Sequence, residues 1–357
     1  MKGKIFAINP GSTSTKVAMY SDGLPLWVES ISHAPEDLAN FNSPYEQIGW
    51  RKGLVLEAAR RHGENLDDLA AVVGRGGPFH PVRCGAYEVT DAMLEVMRNR
   101  PMSPHVSLIA MDIARQIADP LGLKAYIYDG ASIDEMPPLV RLSGWKDMPR
   151  RSMGHPLNLR AAALKFCQSQ GWNYREKNLL LCHMGGGFSV GLLSRGKLLD
   201  LMGDEQGGFC PERSGALPTY ALVDYCYHSG KSYADTMKRI MGRGGLMDHL
   251  GTTDCREVER RIDEGDDYAR LVYEAMALNT AKSIAKLAVV VNGDIDAIVF
   301  TGGIAHSKMF TGLVAERLKF IAPVHTVPGE NEMEALALGI YRVLDGSEQV
   351  NIFKESR

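Results

Sequence analysis

The sequence is poor in cysteine, and its six cysteines are scattered along the chain: Cys84, Cys167, Cys182, Cys210, Cys226 and Cys255. None form a CxxC pair, and no cysteine–histidine cluster has the spacing of zinc ligands, which argues against a structural zinc site. Isolated cysteines in a chain of 357 residues are typical of a reducing compartment. We expect them to act as small buried hydrophobic side chains.

Long apolar runs and excess positive charge are also missing. The short apolar run at residues 5–8 stops at Asn9-Pro10, so no signal peptide is predicted, and no stretch is long enough to cross a bilayer. The formal net charge is -3, which disfavours a nucleic-acid or anionic-membrane partner. We therefore expect a soluble cytoplasmic protein, long enough for about two domains.

The most informative pattern is an internal repeat of strands and turns. Residues 4–20 and 178–193 each read as a strand, a turn of small residues and a second strand, followed by a tight turn into a third strand. Two later apolar strands, at 69–73 and 295–300, each run into a glycine pair. Two similar halves are the simplest interpretation.

Helical periodicity fills the spaces between these strands. Apolar residues recur at helical spacing in seven segments: 54–61, 106–117, 157–168, 218–227, 256–264, 267–291 and 334–344. Strands mixed with helices predict an α/β protein. We place the boundary between the halves near Arg150. We expect the last helix to pack back on the first half and residues 346–357 to form a solvated tail.

Two turns are candidates for phosphate binding. The first joins an amide, hydroxyls and an ammonium group in Asn9, Ser12, Ser14 and Lys16, which suit a polyphosphate. It is not a P-loop, because no glycine precedes Lys16 and a strand follows. An ordinary polar hairpin turn is the alternative.

The second turn follows His183 and contains the consecutive glycines Gly185, Gly186 and Gly187. Such a run indicates a bend with positive φ or the close approach of a ligand. It does not match the dinucleotide fingerprint, because the third glycine is misplaced. Its likeness to the first turn favours ligand contact.

Five dispersed residues lie within or just after segments that are expected to end at a sheet edge: Arg75, His105, Asp129, His155 and Arg213. Each alone is typical of a surface or capping group. Together they suit an anionic acceptor and a transferring phosphoryl group. A further acidic cluster, Glu330, Glu332 and Glu334, either caps the last helix or supplies a ligand to Mg²⁺.

In this order, the motifs resemble those of the acetate and butyrate kinases, in the acetate kinase–sugar kinase–Hsp70–actin superfamily. The resemblance rests on Asn9-x-Gly11-Ser12-x-Ser14-x-Lys16 and on the segments at 73–77, 210–215 and 328–337. The residues that follow Gly11 are closest to the butyrate kinase branch. The matches span positions 4 to about 345 in order, which makes the set specific.

The resemblance implies two similar stacked ribonuclease H-like, actin-like ATPase domains with an interdomain cleft for ATP and acceptor. The first would comprise residues 1–150 plus a C-terminal helix at about 334–357, and the second residues 151–333. It implies ATP-dependent phosphorylation of a short-chain fatty acid carboxylate, either butyrate or a branched analogue. Mg²⁺ would be the metal, and a homodimer or a higher homo-oligomer the assembly.

The resemblance also implies residue roles. Arg75 would meet the substrate carboxylate beside the essential acid Asp129, and His155 and Arg213 would stabilise the transferring phosphoryl group. His105, Gly77 and Gly154 would line the acyl site. Asn9 and Glu332 would hold Mg²⁺, with Glu330 or Glu334 as substitutes for Glu332. The implied ATP contacts are Asn9, Ser12, Ser14, Lys16, His183, Gly185, Gly186, Gly187, Asp254, Arg256, Gly302, Gly303, Ile304 and Ser307.

Departures from the acetate kinase pattern bear on specificity. Gly186 replaces an asparagine, which predicts a barer phosphate turn with one side chain fewer. Ala305 and His306 depart from the acetate kinase nucleotide motif, so the sequence does not indicate which nucleotide base is bound. Gly77 and Gly154 replace larger residues, which predicts more room for an acid longer than acetate. The alternatives are an acetate or propionate kinase, a sugar or hydroxyl kinase that needs an aspartate base, and a nucleotide-driven switch.

Overall fold

The computed structural model describes residues 3–203, 205–330 and 332–355. The chain forms two compact units: unit 1 comprises Met1–Asp134 with Asn331–Arg357, and unit 2 comprises Glu135–Glu330. Residues 135–150 thus belong to unit 2, although the sequence placed the boundary near Arg150. The reason is local pairing, because Arg150 forms a 2.7 Å ion pair with Asp200, and Glu135 accepts a hydrogen bond from the Leu198 N–H.

Unit 1 contains a six-stranded mixed sheet of order β3-β2-β1-β4-β6-β5. Its strands are β1 (Lys4–Pro10), β2 (Ser14–Ser21), β3 (Leu24–Ser32), β4 (Leu69–Arg75), β5 (Ala86–Glu88) and β6 (Ala125–Tyr128). β2 runs antiparallel to β1 and β3, whereas β1, β4 and β6 run parallel to one another. The carboxyl ends of these three buried strands therefore meet at one edge of the sheet.

Helices cover this sheet and fix the ends of its strands. They are α1 (Pro35–Leu38), α2 (Ile48–Arg61), α3 (Asp91–Asn99) and α4 (Ile109–Ala118), with 3₁₀ turns at Pro44–Gln47, Leu66–Asp68, Val106–Leu108 and Asp119–Leu121. α4 is apolar on most sides and lies against β4 so closely that a Cβ on Gly74 would be 2.6 Å from the Ala110 carbonyl oxygen. Only glycine permits this approach.

Unit 2 contains a five-stranded mixed sheet of order β11-β10-β7-β8-β9. Its strands are β7 (Asn178–Met184), β8 (Phe188–Ser194), β9 (Lys197–Met202), β10 (Ala297–Thr301) and β11 (Val324–Thr326). β7, β8 and β9 form an antiparallel meander, and β7, β10 and β11 run parallel. β7 and β8 are buried along their whole length.

The two sheets repeat one topology. From β3 to β6 and from β9 to β11, each sheet passes through two antiparallel pairings and then two parallel ones. The strands that echoed each other in the sequence occupy matching places. The prediction of two similar α/β halves is confirmed.

Helices surround the second sheet as they do the first. They are α5 (Pro138–Arg141), α6 (Pro156–Gln170), α7 (Thr219–His228), α8 (Tyr233–Ile240), α9 (Leu246–Leu250), α10 (Cys255–Asp263), α11 (Asp267–Ala288) and α12 (Lys308–Glu316), with 3₁₀ turns at Tyr174–Glu176, Val289–Val291 and Gly303–His306. α11 is the longest and is capped by the Asp266 side chain. Within the described ranges, no helix has both the length and the apolar character needed to cross a membrane.

The last helix, α13 (Glu332–Leu344), belongs to unit 1. The expectations of a helix reaching residue 357 and of a solvated tail from residue 346 are wrong. The helix ends at Leu344, and the segment that follows packs on unit 1, where buried Glu348 accepts hydrogen bonds from the Tyr128 hydroxyl and Arg342 Nε. The last two residues lie outside the described part.

The cysteines follow the expectation with two departures. Cys167, Cys182, Cys210 and Cys255 are buried, and none of the six cysteines forms a disulfide bond. Cys84 is half-buried and Cys226 is exposed on α7. Cys226 escapes burial because α7 buries none of its residues.

Candidate active site

Three of the predicted residues lie at the edge of unit 1 where the parallel strands end. Asn9 is near the end of β1, Arg75 ends β4, and Asp129 follows β6. Arg75 pairs in register with Tyr128, the neighbour of Asp129. Polar residues at the carboxyl ends of parallel strands are positioned for ligand binding in α/β sheets.

Glu332 joins two of these residues from the first turn of α13. One of its carboxylate oxygens lies 2.9 Å from an Arg75 guanidinium nitrogen, and the other accepts a 2.6 Å hydrogen bond from Asn9 Nδ2. Glu332 and Asn9 are buried, and Arg75 is half-buried. Charge-assisted bonds of this kind hold the guanidinium in a defined orientation.

Asp129 is held in an unusual backbone conformation. Its φ is 44°, in the left-handed region that non-glycine residues rarely occupy. The conformation is maintained from Gly85, whose N–H donates to Asp129 Oδ1 at 2.7 Å and whose carbonyl accepts from the Asp129 N–H. A buried carboxylate on a strained backbone is a common feature of functional sites.

His105 lies just before α4, close to Arg75. Its Nδ1 accepts a 3.1 Å hydrogen bond from the Ser107 N–H, which assigns the ring proton to Nε2 in the neutral form. Burial and the positive charge of Arg75 lower the pKa of His105 below its ordinary value of 6.5. The ring therefore presents an N–H donor without a full charge.

The β1–β2 turn places Ser12, Ser14 and Lys16 next to Asn9. The turn is closed by the Gly11 N–H, which donates to the Ser14 carbonyl at 2.7 Å. Ser12 is exposed, and Lys16 lies opposite Asn9 in the antiparallel pair. This geometry brings a hydroxyl and an ammonium group to the strand-end edge.

In unit 2, the structure brings together the two glycine segments predicted to bind ATP. Residues 185–187 turn between β7 and β8, and Gly302 follows β10, which pairs with β7. Gly302 has φ 91°, and a Cβ there would lie 2.4 Å from the Met184 carbonyl oxygen, so glycine is required. The two loops thus form one glycine-lined surface.

Gly186 is less bare than predicted. A Cβ on Gly186 would lie 2.6 Å from Glu212 Oε1, so the Glu212 carboxylate fills the space that the missing side chain leaves. Glu212 in turn pairs with Arg213 at 3.2 Å, which ties the predicted phosphoryl-binding arginine to the glycine turn.

Two histidines lie together beside this turn. The rings of His155 and His183 are 4.5 Å apart, and His155 Nδ1 lies 2.8 Å from Ser189 Oγ. His183 is buried on β7, with Nε2 3.5 Å from Glu330 Oε1. Adjacent imidazoles held by a hydroxyl and a carboxylate suit the binding of phosphoryl oxygens.

The glycines predicted to enlarge the acyl site do not do so. A Cβ on Gly77 would lie 2.6 Å from the Leu108 backbone nitrogen, and one on Gly154 would lie 2.6 Å from Ser189 Oγ. The space is therefore taken up by neighbouring atoms. The prediction of extra room is wrong, because Gly77 packs against the Leu108 backbone and the Ser189 side chain lies against Gly154.

The remaining predicted ATP contacts lie at helix starts. Asp254 caps α10, and its hydrogen bond with Arg256 lowers the pKa of Asp254 to about 2. Arg256 is 91% exposed, and neither residue makes a polar contact with the glycine turn in the described ranges. Ser307 caps α12, and Gly303 and Ile304 form the 3₁₀ turn before it, with Gly303 exposed.

The three candidate metal-binding carboxylates have different neighbours. Glu330 faces His183, Glu334 is near enough to Tyr20 to help raise that phenol's pKa, and Glu332 bonds Asn9. Among the described residues, no group of three or more His, Cys, Asp or Glu is gathered as a metal cage. Glu332 and the free Oδ1 of Asn9 suit Mg²⁺, which takes few protein ligands. The amide of Asn331 lies outside the described residues.

Sequence reasoning missed Ser189, Glu212 and Arg51. Ser189 sits in an alternating apolar strand, and Glu212 is one of many acidic residues in loops, so neither carries a local signal. Arg51 lies on α2, where its position suggests a solvated face, yet it is fully buried.

Comparison with known proteins agrees with this geometry. The family model described as the Acetokinase family matches residues 164–332. Probable butyrate kinase 2 of Caldanaerobacter subterraneus subsp. tengcongensis is 41% identical, with 98% of this chain and 99% of that one covered. Butyrate kinase 2 of Clostridium acetobutylicum is 38% identical, with 99% of this chain and 100% of that one covered.

A crystal structure of Porphyromonas gingivalis acetate kinase superposes with a TM-score of 0.78 at 18% identity, covering 94% of this chain and 98% of that one. This likeness confirms the predicted fold class. The sequence similarity extends along nearly the whole chain and includes the strand ends and turns described above. The chain belongs to the acetokinase family.

Proposed function

We propose that this chain transfers the γ-phosphoryl group of ATP reversibly to the carboxylate of a short-chain fatty acid, giving an acyl phosphate and ADP. Membership in the acetokinase family supports the reaction class, and the names of the matched relatives support butyrate as the acid. The observation that carries the proposal is the Arg75 guanidinium, held by Glu332 at the end of β4.

The acceptor carboxylate is assigned to Arg75. A carboxylate is already a nucleophile, so no base is needed, and the difficulty is to bring one anion to another. Arg75 contacts Glu332 through one nitrogen and makes no other polar contact with the described residues, so its remaining N–H donors are available. A planar guanidinium matches a carboxylate with two parallel hydrogen bonds. Asp129 orients the groups beside it.

The donor phosphates are assigned to the glycine segments of unit 2. The N–H groups of Gly186, Gly187 and Gly303 suit phosphate oxygens, whereas the Gly185 N–H donates to the Gly187 carbonyl within the turn. His155 and Arg213 balance the charge on the γ-phosphoryl group while the bond to the acceptor oxygen forms and the bond to the ADP oxygen breaks. No proton is released, so fixed positive charge supplies the catalysis.

Mg²⁺ is the divalent metal that best fits the residues present. Asn9 Oδ1 and a carboxylate oxygen of Glu332 would hold it, with waters and phosphate oxygens completing the shell. Bound there, the ion neutralises negative charge on the nucleotide. Lys16 lies opposite Asn9 and would add positive charge, and the Ser12 hydroxyl in the adjoining turn would offer a hydrogen-bond donor.

The preferred acid is assigned from the relatives alone. Because the space at Gly77 and Gly154 is filled, those glycines do not distinguish butyrate from acetate or propionate. An acetate or propionate kinase is therefore the second candidate, and a panel of acids separates the two.

We further propose a homodimer in the cytoplasm, where ATP is available. The support for the dimer is α7, none of whose residues are buried although most are apolar or aromatic. Tyr220 and Tyr227 on this helix are 94% and 81% exposed. An apolar helix exposed on this scale marks an interaction surface.

The proposal is tested by trapping the acyl phosphate with hydroxylamine. Protein, ATP and Mg²⁺ are incubated with acetate, propionate, butyrate, isobutyrate or valerate, and the hydroxamate is measured. We expect the largest signal at four carbons. For Arg75→Gln we expect the KM for butyrate to rise at least ~10-fold, since a charge-assisted pair is lost, while the KM for ATP stays within about twofold.

Arg60→Gln serves as the control, because Arg60 is an exposed arginine of α2. A peak at acetate would retain the reaction and overturn the butyrate assignment. No hydroxamate from any acid, together with ADP release on addition of a sugar, would replace the proposal with a hydroxyl kinase. An unchanged KM for butyrate in Arg75→Gln would remove Arg75 from the acceptor site.

A further inference from the structure

Arg51, in the first half of α2, is the largest fully buried side chain of the described residues. Arginine is rarely buried completely unless it is paired with an acid. No carboxylate of the described residues pairs with Arg51, although most other arginines of the chain have one. A buried guanidinium without a counter-charge calls for an explanation.

The contacts of Arg51 all lead to the β1–β2 turn or its own helix. One terminal nitrogen donates to the Ser14 carbonyl at 3.0 Å and to Thr15 Oγ1 at 2.8 Å. Nε donates to Gln47 Oε1 at 2.8 Å. The other terminal nitrogen is buried and has no hydrogen-bond partner in the described residues.

His33 completes the support of the same turn. Its backbone N–H donates to the Thr13 carbonyl at 2.9 Å, and its Nε2 lies 2.8 Å from Thr15 Oγ1. Because Thr15 accepts from Arg51, its own proton is free to go to a neutral His33. Residues 13–15, at the end of the turn and the start of β2, are thus held by the Arg51 and His33 side chains and by the His33 backbone N–H.

The charge of Arg51 persists in this environment. Burial lowers the pKa of Arg51 to about 10, so the guanidinium remains protonated at neutral pH. A charge in a medium of low dielectric acts on its neighbours more strongly than one in water. The hydroxyl turn above it, with exposed Ser12, is therefore a favourable place for an anion.

We propose that Arg51 is a positioning residue for the nucleotide, which fixes the Ser12–Ser14 turn and supplies the uncompensated charge that a phosphate group completes. The inference rests on the proposed function, because it takes the nucleotide phosphates as the anion. An arginine that only filled the core would be replaceable by an apolar side chain at little or no cost to stability. The missing acid leaves the phosphate as the counter-charge.

The test compares Arg51→Met, which removes the charge and keeps most of the volume, with Arg51→Lys and with Thr15→Val. MgADP binding is measured by titration calorimetry, and KM for ATP and butyrate by the hydroxamate assay. For Arg51→Met we expect about tenfold weaker MgADP binding and a matching rise in KM for ATP, as for loss of a charged interaction. The KM for butyrate stays within about twofold.

For Arg51→Lys we expect about half of the loss in MgADP binding to be recovered on a logarithmic scale. Lysine keeps the positive charge but lacks the planar guanidinium with its several hydrogen-bond donors. Arg60→Met is the control and leaves MgADP binding unchanged. Unchanged MgADP binding in Arg51→Met would overturn the inference, whether or not the melting temperature falls. Should Arg51→Met fail to fold, unchanged binding in both Arg51→Lys and Thr15→Val overturns the inference.

These measurements distinguish a failure of the proposed function from a failure of the proposed role of Arg51. A wild-type protein that binds MgADP but forms no acyl phosphate overturns the proposed function, and the Arg51 variants still test the inference. A wild-type protein that binds no nucleotide overturns both.

Discussion

His33 shows how one residue couples pH to the stability of a turn. Burial and the positive charge of Arg51 lower the pKa of His33 below 6.5, and the opposing attraction of Asp37 is smaller. The ring lies 4.7 Å from the Trp50 ring, tilted at 55° to it, and His33 is buried, which leaves little access to water. Protonation would place a second cation beside Arg51 and remove the acceptor for the Thr15 hydroxyl.

The free energy of unfolding is therefore expected to fall as pH drops from 7 to 5. The folded-state pKa lies below the unfolded-state value near 6.5, so the unfolded chain binds more protons in this window. The contribution of His33 is complete above 6.5 and is lost as pH falls toward the folded pKa. His105, whose pKa is also lowered, adds to the same slope.

Urea unfolding between pH 5 and 8 measures this effect, with His33→Gln as the test variant. The slope of unfolding free energy against pH should be shallower in His33→Gln. His228→Gln removes an exposed histidine of α7 and should keep the wild-type slope. An unchanged slope in His33→Gln would assign the pH dependence to other groups.

Single residues were predicted well where a strand end carried them. Asn9, Arg75 and Asp129 lie at one edge because parallel strands place their ends together, and the sequence showed both the strands and the polar residues. Glu332 could not be separated from Glu330 and Glu334, because three carboxylates within five positions differ only in the direction that the chain takes. The prediction of extra room at Gly77 was wrong, because a glycine in a sequence is as compatible with close backbone contact as with empty space.

Among the elements, the segment after α13 has a larger part than its polar sequence suggests. Asn351 donates from Nδ2 to the Cys84 carbonyl at 2.9 Å and from its N–H to the Ala86 carbonyl at 2.8 Å. Gly85, between these two residues, is the residue that holds Asp129. The segment thus supports the strained aspartate through one intermediate strand end.

Asn351→Ala is expected to lower the free energy of unfolding by about 1–3 kcal/mol, because a half-buried carbonyl loses its donor. We also expect a lower kcat with an unchanged KM for ATP, since Asp129 would be less well fixed. Denaturant unfolding and steady-state kinetics measure both. Asn40→Ala removes an exposed asparagine that also bonds backbone carbonyls, and it controls for the substitution.

A variant that loses stability but keeps the wild-type kcat would limit the segment to a structural role.

The sequence predicted the long strands and helices at the positions where they occur. It missed the helices α1, α3, α5, α8, α9 and α12 and the three-residue strands β5 and β11, because short elements contain too few residues to show a helical or strand period. The buried Glu348 could not be foreseen, because its partners Tyr128 and Arg342 are brought to it by tertiary packing.

For the whole molecule, the exposed face of α7 predicts assembly. Replacing Tyr227 by glutamate places a charge in the centre of a surface that would be desolvated in a dimer. We expect the wild-type protein to sediment as a dimer and Tyr227→Glu as a monomer at low micromolar concentration. Phe320→Glu removes an aromatic residue of unit 2 that is 82% exposed elsewhere, and it should leave the dimer intact.

A wild-type protein that sediments as a monomer would contradict the assembly, and a dimeric Tyr227→Glu would place the contact elsewhere. The strand and helix patterns in the sequence do not predict assembly, because an apolar helix face has the same sequence pattern whether it packs on a core or on a partner chain. The repeated sheet order, in contrast, was readable because each half repeats its turns at matching points.

The discontinuity of unit 1 has a consequence for biosynthesis. Unit 2 is one continuous stretch, so all of its strands have been synthesised before residue 332 is added. The contact between Asn9 and Glu332 spans 323 positions and must wait for α13. A chain released before α13 is made can complete the glycine-lined unit but not the edge that carries Arg75, so such a product would keep the proposed nucleotide contacts without the proposed acceptor site.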